Sequence, residues 1–461
     1  VVAVAPRLLE RPPGPAPGRA ATPVFSVRRV PDLTTRVVAS ARLRADLEAV
    51  LAEPALRGAT ACLAVADPDG HPVLAHRADA PLIPASTIKL VTGLAALDRF
   101  GAGARYTTEV RAAAPPGADG AVGDLWLVGS GDPYLATADF AATAGWLESP
   151  RLHTSVEALA DRIAAAGVRR VGRLVGDESR YDTQRYLPTW APYFATNPEV
   201  GPQGALVVND GFVEWRPREV AAPAPATHAA AVLAALLGDR GVAVGGVGQG
   251  RAPAQTVPVA SVESPTMAEI VGQMVRDSEN LAAELLVKEL GARFGDGGTT
   301  AAGLAVVRAE VAALGPEAAA FSPADGSGLD RGNRLSCGLL QVVLARAGPD
   351  GDLARGLPEA GRSGTLVRRF LDTPAVGRVR AKTGSLEGVV GLSGWAEGLD
   401  GSRLRFSLVA NGLPSEGVGA ALQQRVAVAV AGWPRAPSPE EVAPRPPQPP
   451  APPQPPGPRP G

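Results

Sequence analysis

Only three of the 45 basic residues in this 461-residue chain are lysine, and two of those lie three residues from a serine. Arginine does not surrender its proton and lysine does, so a lysine kept in so arginine-rich a sequence marks a place where amine chemistry is needed. Ser86 and Lys89 belong to Pro84-Ala85-Ser86-Thr87-Ile88-Lys89, at the head of a helical pattern continued by Leu90, Val91, Leu94 and Leu97. Residues three apart share a helix face, which brings hydroxyl and amine together as nucleophile and base. The helix N-terminus adds partial positive charge where an oxyanion would form.

The second lysine opens Lys382-Thr383-Gly384-Ser385, on an expected strand edge that turns at Gly384. A cation and two hydroxyls at that spacing suit a carboxylate, and glycine lets a ligand approach the backbone closely. Lys382 would also help keep Lys89 unprotonated. Moving a lysine from ~10.4 to about 7 takes roughly 4–5 kcal/mol, which burial and a neighbouring cation can supply. Between the two segments, Asp277-Ser278-Glu279-Asn280 interrupts a helical pattern that starts at Ser264-Pro265 and resumes at Leu281, Leu285 and Leu286. Such a polar break presents a hydroxyl and an amide to a cleft. Taken singly, each motif also occurs as an ordinary cap, loop or strand-turn sequence.

Ser-x-x-Lys, Ser-x-Asn and Lys-Thr-Gly in this order form the signature of penicillin-binding proteins and serine β-lactamases. The chain resembles the low-molecular-mass class C penicillin-binding proteins, D-alanyl-D-alanine carboxypeptidases with endopeptidase activity. The resemblance spans about 40 to 432. It is also carried by Gly131-Asp132-Pro133, Val208-Asn209-Asp210, Asn280-Leu281 with Ala283-Glu284, Asp325-Gly326-Ser327-Gly328-Leu329 and Ser363-Gly364-Thr365-Leu366. Two positions differ: Glu279 fills the variable centre of Ser-x-Asn, and Asp330 stands where the family usually has serine.

The resemblance implies acyl transfer on Ser86, with Lys89 as base and Ser278 relaying a proton to the leaving amine. Asn280 would hold the substrate amide. Lys382, Thr383, Gly384 and Ser385 would bind the terminal carboxylate, and the backbone N–H groups of Ser86 and Ser385 would form the oxyanion hole. It further implies peptidoglycan stem peptides as substrate, β-lactams as inhibitors, no cofactor or metal, and work outside the cytoplasmic membrane. Two rivals are a serine β-lactamase, whose Glu-x-x-x-Asn deacylation signature is missing, and a wall-associated scaffold with a vestigial site. A zinc peptidase is disfavoured because the four histidines make no H-E-x-x-H spacing.

These motifs need a frame. The expected class is α+β: a transpeptidase-like domain, an antiparallel five-stranded sheet flanked by helices, with a large mostly-β insertion. Strands are expected at Thr60–Ala66, returning through Val73 and Leu74, and at Val379–Thr383, Val389–Ala396 and Leu404–Asn411. Helices are expected from a Ser40 cap through Leu43, Leu47, Val50 and Leu51, and through Val418 to Val430. The catalytic domain then comprises 37–108 and 261–433. The insertion, 109–260, has strand signals at Leu125–Val128, Val171–Gly176, Ala205–Val208 with an Asn209-Asp210-Gly211 turn, and 241–249.

Residues 1–36 read as a proline-rich leader and 434–461, half of them proline, as an extended tail. The opening Val-Val-Ala-Val-Ala could close an export signal. A net charge of −1 gives no field for nucleic acid, and no apolar run of eighteen residues spans a membrane. Cys62 and Cys337 read as buried free thiols, with a bond between them left open.

Overall fold

The computed structural model describes residues 31–435 apart from 145, 146, 148–150, 197 and 198. The chain divides into two units, Val1–Ala39 with Ala436–Gly461, and Ser40–Arg435; the candidate site lies in the second. Residues 1–30 of the expected leader and 436–461 of the expected tail lie outside the described residues.

Helix α1 (Pro31–Leu51) starts nine residues ahead of the expected Ser40 cap. Proline fits a first helical turn, where its missing N–H has no partner to lose, and Ser40 falls inside the helix. Leu43 and Leu47 are buried as expected. Strands β1 (Thr60–Ala66) and β2 (Pro72–His76) form the expected hairpin. The Asp67 carboxylate closes its turn, accepting from the N–H groups of Asp69 at 3.0 Å and His71 at 2.8 Å. A 3-10 turn, Ala85–Ile88, then leads into α2 (Lys89–Phe100).

The intervening stretch builds a second sheet from β3 (Thr107–Ala112), β4 (Ala121–Val128), β5 (Arg170–Asp177), β6 (Ala243–Val244), β7 (Val247–Gln249) and β8 (Val257–Glu263). The strand order is β6-β5-β4-β3-β8, with β7 also pairing β5. β3 and β8, the strands of entry and exit, pair antiparallel, Thr107 opposite Glu263. Helices α3 (Val156–Ala165) and α4 (Pro225–Gly238) share a core with this sheet, in which Leu159, Ile163, Leu233 and Leu237 meet Val110, Leu125 and Leu174.

The sequence reading found β4 and β5 and gave a signal at 241–249, where β6 and β7 lie, but marked neither β3 nor β8 and missed both helices. Ala205–Val208, expected as a strand, makes no ladder. Its alternate residues serve two cores, Leu206 and Val208 facing the sheet while Ala205 and Val207 pack with Tyr181 and Trp190. Burial on both sides explains the apolar run without a partner strand.

Helix α5 (Met267–Asp277) is capped by Thr266 and Glu269 rather than by Ser264-Pro265. Ser264 Oγ instead accepts from the Tyr106 N–H at 2.9 Å. Helix α6 (Asn280–Phe294) follows after two residues, and α7 (Cys337–Ala347) after the loop through Asp325. Then come β9 (Val379–Leu386), β10 (Val389–Glu397), β11 (Arg403–Asn411) and α8 (Glu416–Ala431). The resulting sheet has the order β9-β10-β11-β1-β2 and is antiparallel throughout, so both ends of the chain build it. This is the expected α+β arrangement. Gly384 is no turn: β9 continues to Leu386, with Gly384 opposite Gly391, and the chain reverses at Gly388 with φ 68°. Among the described residues no helix is long and apolar enough to cross a membrane.

Cys62 on β1 and Cys337 at the head of α7 form a disulfide across 275 residues of sequence, which corrects the reading as free thiols. Both are fully buried, and the bond fastens α7 to the sheet. Closing so long a loop restricts the unfolded chain, so replacing both cysteines by serine is expected to cost about 2–5 kcal/mol. Urea unfolding of the double variant measures this. A midpoint equal to wild type would mean that the bond contributes nothing.

Candidate active site

The 3-10 turn Ala85–Ile88 places Ser86 one turn before Lys89, and the lysine is buried completely. Lys89 Nζ lies 2.9 Å from Ser86 Oγ, 2.7 Å from Asn280 Oδ1 and 2.6 Å from the Ser327 carbonyl oxygen. Burial lowers its pKa to about 7, against the opposing fields of Asp325, Glu284 and Glu279. A neutral amine has two N–H groups and one lone pair. Two of the three neighbours are carbonyl oxygens that can only accept, so the amine spends both N–H groups on them and turns its lone pair to the Ser86 hydroxyl.

Ser278 closes α5 in a left-handed conformation, φ 66° and ψ 35°, which a residue with a side chain adopts only when its surroundings impose it. That turn aims Ser278 Oγ at Lys382 Nζ, 2.8 Å away; Lys382 also donates to the Thr383 carbonyl at 2.8 Å. Burial, then the Lys89 charge, hold Lys382 well below the usual lysine range, opposed by Asp277. Burial is what lowers Lys89, whereas Lys382 is lowered by burial and then by the Lys89 charge, a repulsion the two share. Asn280 starts α6 and donates from Nδ2 to the Glu199 carbonyl at 2.7 Å, which points its Oδ1 at Lys89.

Strand β9 runs against the nucleophile. A Cβ at Gly384 would stand 2.8 Å from the Pro84 oxygen and 3.2 Å from the Ser86 nitrogen. The glycine therefore admits the Ser86 turn. Thr383 Oγ1 donates to Thr365 Oγ1 at 3.0 Å, and Ser385, one strand period further, is exposed. Ser86, Lys89, Ser278, Asn280, Lys382, Thr383 and Gly384 are thereby linked by contacts, with Ser385 at the open edge beside them.

Several supporting residues had been quoted from sequence without a role. Buried Glu284, four residues after Asn280 on α6, accepts through Oε1 from the N–H groups of Gly326 at 3.0 Å and Ser327 at 2.7 Å. It thereby holds the loop whose Ser327 carbonyl faces Lys89. The Asp325 carboxylate binds the same loop, accepting from the Gly328 N–H at 2.8 Å, Asn333 Nδ2 at 2.7 Å and Trp190 Nε1 at 2.9 Å. Asp330 accepts from Thr189 Oγ1 and from the Gly332 N–H at 2.6 Å, so its acid pins this loop to the 189 segment. Beside Ser278 and Asn280 opens a cleft of about 280 Å³, walled by Phe140, Trp215, Arg151 and Asp210 from the second sheet's region.

Comparison with known proteins bears on this geometry. The model of the D-Ala-D-Ala carboxypeptidase 3 (S13) family matches residues 43–222 and 214–433. The chain belongs to that family. It is 32% identical to the D-alanyl-D-alanine carboxypeptidase of Actinomadura sp. over 86% of both chains, and 32% identical to carboxypeptidase DacB of Mycolicibacterium smegmatis over 87% of this chain and 85% of that one. In fold it is similar to penicillin binding protein 4 of Haemophilus influenzae, with a TM-score of 0.69 at 19% identity over 83% of this chain and 97% of that one. That protein has also been solved complexed with a β-lactam.

Two buried acids, Glu284 behind the site and Asp132 in the intervening stretch, have a measurable signature. Burial raises Glu284 to about 8 and Asp132 to about 6. Each keeps a proton in the folded chain that the unfolded chain has released. Their stabilisation is complete below the unfolded values, near 4, and is lost as pH rises through about 6 for Asp132 and about 8 for Glu284. Lys89 acts oppositely, restoring stability only from about 7 upward. Lys382, also lowered, acts in the same direction as Lys89, so the test is a difference: between about pH 5 and 7 Glu284→Gln should lose about 3 kcal/mol less stability than wild type, read as a smaller fall or a larger rise in melting temperature. An unchanged slope in the variant would show that Glu284 is ionised throughout.

Proposed function

We propose that the chain hydrolyses the terminal D-Ala-D-Ala bond of peptidoglycan stem peptides through an acyl-enzyme on Ser86, outside the cytoplasmic membrane, and that β-lactams acylate the same serine. The observation that carries this reading is the Lys89 amine, buried, lowered to about 7 and 2.9 Å from Ser86 Oγ with both N–H groups engaged elsewhere. Family membership supports the substrate.

In the first step Ser86 Oγ bonds to the penultimate D-Ala carbonyl carbon while its proton passes to Lys89 Nζ. The backbone N–H groups of Ser86 and Ser385 stabilise the oxyanion, each donor contributing roughly 3 kcal/mol. The C–N bond then breaks. The leaving amine takes its proton from Ser278, which is replenished by Lys382, and D-alanine departs. Lys89 then gives up to solvent the proton it took from Ser86 and Lys382 regains one, so that the neutral Lys89 amine takes a proton from the water that attacks the ester and passes it to Ser86 Oγ as the shortened peptide leaves. A terminal carboxylate beside Thr383 and Ser385 gives Lys382 a counter-charge, so substrate binding favours the protonated lysine that the relay requires.

We further propose that 109–260, bounded by the paired strands β3 and β8, is an inserted domain whose cleft beside Ser278 receives the rest of the stem peptide. Incubation with a D-Ala-D-Ala-terminated wall peptide should release one D-alanine per peptide, and benzylpenicillin should add its mass to the tryptic peptide containing Ser86. Absence of both the released D-alanine and the adduct would overturn the reading.

A further inference from the structure

Two buried carboxylates flank Ser278, and a residue far away in sequence holds one of them. The Arg151 guanidinium places NH1 2.6 Å from Asp210 Oδ2 and NH2 2.6 Å from Glu279 Oε2. All three side chains are at least nine-tenths buried. The guanidinium also lies over the Tyr134 ring, 4.9 Å from its centroid. The other Glu279 oxygen accepts from Gln273 Nε2 at 3.3 Å, and the same amide donates to Asp277. Glu279 is thus held at both oxygens, one residue after the left-handed Ser278 and one before Asn280.

We propose that Arg151 is a positioning residue for the proton relay: it ties Glu279 to Asp210 across the two sheets' regions, fixing the strained Ser278 turn and neutralising one of the acids that face the base. This goes beyond the acyl-transfer reading and rests on its assignment of Ser86 and Lys89.

Two consequences separate positioning from mere support. The geometric one is that Ser278 and Asn280 shift when the tie is cut, and a misplacement of about 1 Å costs roughly 10²-fold in rate. The electrostatic one reaches Lys89, which is faced by Glu279 and Glu284 from the α6 side, Asp325 from its loop and Lys382 from β9, with Ser86, Asn280 and the Ser327 carbonyl as neutral partners. Glu279 without its arginine favours protonated Lys89 more strongly, so the pH at which the base becomes active rises.

The test is the second-order rate of acylation by a chromogenic cephalosporin, followed from about pH 5 to 9, in wild type, Arg151→Met, Arg151→Lys, Glu279→Gln and the Arg151→Met/Glu279→Gln pair. Arg151→Met should lower the plateau roughly 10²-fold and move the acid limb up by about one pH unit. Glu279→Gln should move the limb down. The double variant should return the limb to the wild-type position while the plateau stays low, and Arg151→Lys should keep the wild-type limb with an intermediate plateau.

A wild-type plateau and limb in Arg151→Met would overturn the proposal, as would equal limbs in all variants with only melting temperature lowered. Should Arg151→Met fail to fold, Glu279→Gln alone decides, an unmoved limb counting against the proposal. A wild-type protein that is not acylated at Ser86 at all would overturn the site assignment instead.

Discussion

Ser86→Ala is expected to remove D-alanine release and β-lactam acylation together, by about 10⁴–10⁶-fold, leaving only what positioning and oxyanion donors supply. The chemistry has no second route, because among the described residues no other hydroxyl touches the Lys89 amine. Ser278 Oγ is 2.8 Å from the other lysine and sits on a different helix end. The fold should be indifferent to the change. Lys89 keeps its two carbonyl acceptors, Asn280 Oδ1 and Ser327 O, so no buried acceptor loses its donor. The unfolding free energy should stay within about 1 kcal/mol of wild type, which is the scale of one lost hydrogen bond. Calorimetry and a D-alanine assay on the same sample measure both. Release within tenfold of wild type would place the nucleophile elsewhere.

How far the sequence foretold this depends on whether the signal was local. Strands β1, β9, β10 and β11 were legible because alternation and turn residues act over a few positions, and the long helix at the C-terminus because Val418, Leu422, Val426 and Val430 recur on one face. The three motifs were legible because each carries its chemistry within four residues. The errors came from tertiary context. Gly384 looked like a turn, yet its missing Cβ is needed by the Pro84–Ser86 backbone packed against it.

Glu284 could have been assigned from its i+4 spacing to Asn280, which puts both on one helix face. Arg151 could not. Its two partners are 59 and 128 residues away, and nothing near it in sequence announces a buried ion triad. Of the helices in the second sheet's core, Pro225–Gly238 gave little contrast between faces because it is Ala-rich, whereas Val156–Ala165 carries Val156, Leu159 and Ile163 on one face and was legible though not read.

Substitution of the base should be nearly as damaging as loss of the nucleophile, and its pH profile is the more discriminating. In the wild type the active form is the neutral amine, so acylation must rise with pH through the Lys89 value of about 7 and level off above it. Protonation below that value occupies the lone pair and leaves Ser86 without an acceptor for its proton. Lys89→Arg keeps a cation at the same place, but guanidinium holds its protons throughout the accessible range, so no pH recovers the base. The loss should be at least about 10³-fold at every pH, within the range ascribed to a positioned general base. The acid limb near 7 should vanish with it, because the group that titrates is gone. Stopped-flow acylation of wild type and Lys89→Arg across this range makes the comparison. A variant that keeps an acid limb near 7 would assign that limb to another group, with Glu284, raised to about 8 by burial, the next to test.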